Sequence, residues 1–101
     1  MLVFDYTKAI AQVNELRQIA KDMGTMRNSV LNDAINEIQS GWQGDTAVKF
    51  IGKCDDLSGF ILNEVNNINT LADNLERTSN SIRQAELEAM RILRESLLRT
   101  K

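Results

Sequence analysis

Residues 40–50 read SGWQGDTAVKF and hold the chain's single tryptophan, Trp42, between Gly41 and Gly44. The sequence is periodic on both sides of this stretch. Upstream, Ile10, Val13, Leu16, Ala20, Met23, Val30, Ala34 and Ile38 recur mostly at steps of three and four, and Leu31 and Ile35 widen the stripe. That spacing lines one face of an amphipathic helix. Downstream, Ala47, Phe50, Cys54, Leu57, Ile61, Ile68, Leu71, Leu75, Thr78, Ile82, Ala85, Ala89 and Ile92 follow a heptad. Val65 stands one place out of step, because Glu64 holds the strict slot. A repeat kept over this length predicts a coiled-coil-like seam. The glycine-flanked stretch is then the turn between two helices.

The chain reads as one all-α domain over residues 1–101, with helices over about 6–40 and 46–97 and a turn at 41–45. Asp5 or Thr7 is placed to cap the first helix, and Asp45 or Thr46 the second. Ser40 and Gly41 end the first pattern, with Gly41 the expected exit through left-handed backbone. Gly24 interrupts the first helix at a cost of about 1 kcal/mol, and marks either a bend or a close approach of another helix. Helices this long, joined by so short a link, fold back antiparallel as a hairpin. The hairpin alone leaves part of each apolar stripe uncovered, and a core so thin is marginal. Pairing with a second hairpin, as a homodimer or a heterodimer, completes a four-helix bundle. Phe50, Leu57, Ile61, Ile68, Leu71 and Leu75 are the expected hairpin and dimer core.

Composition narrows the function. The absence of proline from 101 residues suits a long helical protein, since proline inside a helix costs about 3 kcal/mol. The formal net charge is −2 and the basic residues are scattered, which argues against nucleic acid as a partner. Arg91, Arg94, Arg99 and Lys101 sit where a helix C-terminus favours cations. No apolar run is long enough to span a membrane, and the opening MLVFDYTKAI lacks the parts of a cleaved signal peptide. Histidine is missing, which removes the commonest general base and metal ligand. Asp55 with Asp56, and Glu86 with Glu88, point apart on a helix rather than converging. No catalytic residue, metal site or cofactor is expected. Cys54 reads as a small buried apolar residue.

Trp42 has two readings. It plugs the open end of the hairpin against Ile38 and Phe50, or it keeps part of its ring exposed as an anchor for a partner. Trp42-Gln43-Gly44 at the turn, with Ala47 and Phe50 downstream, resembles the WXG-100 family, small substrates of type VII (Esx-type) secretion systems. Many members of that family carry a tyrosine near the C-terminus with an acidic residue four places later. Here no tyrosine follows Tyr6, but Ile82, Glu86, Ala89 and Leu93 fit a looser pattern of apolar and acidic residues on one helical stripe. The resemblance implies a non-enzymatic protein, cytoplasmic at first, then exported as a folded dimer by a secretion ATPase. It implies that Trp42 and Gly44 of one subunit join Ile82, Glu86, Ala89 and Leu93 of the other in a composite signal. An intracellular adaptor that pairs with the targeting domain of a larger toxin is the alternative.

Overall fold

The computed structural model describes residues 4–99. Helix α1 spans Tyr6–Met26, a π-helical turn Arg27–Leu31 follows, and α2 continues over Asn32–Gly41. Three residues then link α2 to α3, Asp45–Arg99. The chain reverses there and lies back along itself as a rod of 87 × 15 × 14 Å. The expected helical hairpin is therefore present, and among the described residues there is no strand.

Local chemistry sets the ends. Asp5 caps α1 by accepting a hydrogen bond from the Lys8 amide at 2.9 Å, whereas Thr7 lies inside the helix. At the turn the sequence reading needs correction. Gly41 is the last residue of α2, and the chain leaves through Trp42, whose φ of −110° and ψ of 145° are extended backbone. The left-handed residue is Gly44, with φ +87°. A side chain there would strain the backbone, so this glycine is the one the reversal requires. Asp45 is also not a preceding cap: it is the first residue of α3, where its carboxylate favours the positive helix end.

Gly24 is likewise settled. A Cβ at this position would meet nothing within 4 Å, so no helix approaches it closely. The irregularity falls just beyond, in the π-helical turn. At the end of α1 Thr25 Oγ1 donates to the Lys21 carbonyl, and in the turn Ser29 Oγ donates to the Thr25 carbonyl. Such hydroxyl back-bonding competes with the regular ladder and loosens a helix.

The core follows α1 and α2 along α3. Among the described residues only Val13, Ala20, Ile38, Ala47, Ile61 and Ala72 are buried apolar residues, and three of these are alanines. The buried Ser79 also lies in the seam. On α3 the contact rows are Cys54, Ile61, Ile68 and Ile82, and Ile51, Ser58, Val65, Ala72 and Ser79, all buried or half-buried. The second row was not the one expected. Phe50, Leu57 and Leu71, assigned to the core from the heptad, are each about half exposed, and Leu75 is exposed too. As hairpin core those four are corrected, while Ile61 and Ile68 lie in it. Small residues in the contact row let the helix axes approach; the bulky row stays on the flank because its side chains would hold the axes apart.

So thin a core leaves much surface in water. The accessible area of 7,884 Å² exceeds the ~5,800 Å² of a compact monomer of this mass by roughly 2,000 Å².

Candidate functional site

Trp42 stands at the closed end of the hairpin, placed by the last turn of α2. Its amide donates to the Ile38 carbonyl at 2.9 Å, which fixes where the indole leaves the backbone. The ring packs on Phe50, with centroids 5.7 Å apart and planes tilted by 43°. Even so, 51% of Trp42 stays exposed. The ring is thus packed against Phe50 and still half open to water, beside Gly41 and Gly44, which carry no side chain to cover it.

Phe50 begins a longer feature. In α3 the positions one before the contact row are Phe50, Leu57, Glu64 and Leu71; in α1 and the π-helical turn that follows it the equivalent positions are Leu16, Met23 and Val30. Antiparallel helices bring these two rows to the same side of their seam. The next positions outward, Ile19 and Met26 on α1 and Phe60 on α3, are apolar and exposed as well. One flank of the hairpin therefore carries an apolar strip contributed by both helices and interrupted on α3 by Glu64, and Trp42 stands at its end.

The opposite flank is polar and closed by internal contacts. Arg17 reaches Asp73 at 3.0 Å and Glu76 at 2.7 Å. The hydrogen bond to Glu76, then the one to Asp73, raises the Arg17 pKa above its ordinary value. Tyr6 donates its hydroxyl to Asn80 at 2.7 Å, and the Arg83 guanidinium stacks 4.4 Å above its ring. Across the seam, Arg27 Nε donates to the Ser58 carbonyl at 2.9 Å.

At the far end, α3 outruns α1. The amide of Phe4 donates to Glu86 Oε1 at 3.2 Å, so Glu86 is half-buried under the start of the chain rather than freely solvated. Ile82, one turn earlier, is half-buried too, whereas Ala89 and Leu93 are exposed. These four continue the contact rows of α3, so the structure brings them onto one stripe, half of it on the hairpin and half beyond it. Leu87, Met90, Ile92 and Leu98 are also exposed there. Arg91 bridges Glu88 and Glu95 on the side away from that stripe. Its hydrogen bond holds the Glu88 carboxyl below the usual carboxylate range. Trp42 and Glu86 are at opposite ends of the hairpin, about 60 Å apart along α3.

Cys54 is half-buried in the seam. Among the described residues no group of three or more His, Cys, Asp or Glu side chains is arranged to hold a metal ion. No described helix is long and apolar enough to cross a membrane. The sequence stripe missed Ile19, Met26 and Phe60, which fall outside a single heptad seam. Their seven-residue spacing in α1 was the available signal.

The family model described as proteins of 100 residues with WXG matches residues 8–87. That range takes in the whole turn and most of both helical arms. No curated protein and no solved structure matches the chain.

Proposed function

The chain belongs to the WXG100 family, and from that premise we propose that it is a non-enzymatic protein exported as a folded dimer by a type VII secretion system. The half-exposed Trp42, held beside Phe50 at the end of a bare apolar flank, is the observation that carries this reading. A ring needed only as a plug would be covered. A flank needed only for solubility would be charged.

The dimer gives both features one purpose. A second hairpin laid antiparallel on the apolar flank covers it and completes a four-helix bundle. It also brings the C-terminal arm of one subunit beside the turn of the other. Trp42 with Gly44, and the partner's equivalent of the Ile82–Glu86–Ala89–Leu93 stripe, then form one patch. Within a single chain those elements are too far apart to be read together. The secretion ATPase recognises a signal that exists only after pairing, so unpaired chains are passed over. The protein is cytoplasmic until then.

The test is Trp42→Ala in cells that express the secretion system. The variant should still pair, because most of the flank is intact, and should remain in the cytoplasm. Unchanged secretion of the variant removes Trp42 from the signal. Loss of pairing as well as secretion makes it a packing residue instead.

A further inference from the structure

Glu64 places a charge in the middle of the apolar flank; Lys53, one heptad before Phe60, lies nearer the turn. Glu64 occupies the same row as Phe50, Leu57 and Leu71, two turns from Leu57 on one side and from Leu71 on the other. It is half-buried, and no cation of the described residues forms an ion pair with it. The paired register of the hairpin, read from Arg17–Asp73 and Phe4–Glu86, sets Glu64 level with Met26, within the apolar stretch that runs from Leu16 to Val30.

Position matters because a symmetric dimer turns a surface onto itself. Around a two-fold axis through the centre of a face, central residues meet their own copies. Helices in such bundles lie about 8–10 Å apart, so two Glu64 carboxylates would be brought together out of water, while the cation at their level, Arg27, is held on the Ser58 carbonyl and Asn28 Oδ1. Unpaired charge at the centre of a covered face is strongly unfavourable. Sliding the copies apart to separate the carboxylates uncovers the strip at both ends.

We infer that Glu64 is the specificity-determining residue of this flank, and that the flank takes a second helical hairpin that is not a copy of this chain and presents an arginine or lysine at the middle of its own apolar side. The inference rests on the flank being the dimer surface proposed above. The chain as a whole exposes roughly 2,000 Å² more than a compact monomer of its mass, against the ~800 Å² each partner contributes to a standard interface. A cation at the partner's centre gives Glu64 its counter-charge and rejects self-pairing by the same contact.

The full chain is tested alone, by sedimentation equilibrium at neutral pH over micromolar concentrations, with helicity checked by circular dichroism. The wild type should stay monomeric. Glu64→Leu should self-associate about 100-fold more tightly, and Glu64→Lys mixed with wild type should form a one-to-one complex while neither dimerises alone. A wild-type dimer whose affinity Glu64→Leu leaves unchanged overturns the inference, as does a Glu64→Lys mixture no tighter than its components. A further variant separates this from failure of the flank itself. Adding Leu57→Asp to Glu64→Leu should abolish the dimer. A dimer indifferent to Leu57→Asp lies elsewhere and takes the dimer surface down with it.

Discussion

On one flank of the interhelical seam, Arg17 reaches two carboxylates and Tyr6 is held between Asn80 and Arg83. On the other, Leu57, Phe60, Met26 and Val30 face water. Both flanks belong to the same two helices and border the same row of small buried residues. The first has its groups satisfied within one chain. The second has apolar area that only another molecule can cover. A hairpin with two flanks of the first kind would be a self-sufficient, if weak, monomer; with two of the second kind it would aggregate. One of each is what the proposed pairing on a single side requires.

The largest effect is expected on the bare flank. Leu57→Asp should weaken binding to the cognate hairpin at least about 100-fold, measured by titration calorimetry, since it buries an unpaired carboxylate. The isolated chain should lose little stability, because Leu57 is half exposed before pairing. An equal loss of stability in the isolated chain would place Leu57 in the hairpin core and erase the contrast between flanks.

Between the flanks, Ala72 is fully buried in the seam. Ala72→Leu should destabilise the chain by about 1–3 kcal/mol in thermal melts, because a larger side chain pushes apart axes set by small residues. Indifference to that change would mean that the close approach at the seam is not real. The smallest effect belongs to the polar flank. Arg17→Ala should lower the melting temperature slightly in dilute buffer, and the difference should vanish in molar salt, which screens exposed ion pairs. A loss that persists in high salt would show that the Arg17 stem packs as well as pairs.

Much of this architecture is legible in the residues. Absent proline, two apolar periodicities and one glycine-flanked break dictate a helical hairpin, and the first cap is narrowed to Asp5 or Thr7, of which the structure uses Asp5. Which glycine bends the chain is not legible. Gly41 and Gly44 both suit a helix end, and the choice depends on Trp42 taking extended backbone so that Gly44 supplies the positive φ. The seam was misplaced by one row for a related reason. An apolar stripe wider than one seam supports two pairings, Cys54–Ile61–Ile68 with Leu57 and Leu71 on one side or with Ser58, Val65 and Ala72 on the other. Hydrophobicity favours the first pairing, but close packing of two helices favours the second. The contact between Tyr6 and Asn80, or between Phe4 and Glu86, depends on the register of the two helices, which no local pattern encodes. At Trp42 the sequence offered plug and anchor together, and the geometry keeps both: the ring packs on Phe50 and half of it remains open.

Hydroxyl-radical footprinting of the chain in its assembled form, set against the isolated chain, addresses the two flanks at once. Met26 and Phe60 should lose reactivity on assembly while Tyr6 keeps its own. Protection of Tyr6 with Met26 and Phe60 unchanged would place the partner on the polar side and contradict the account.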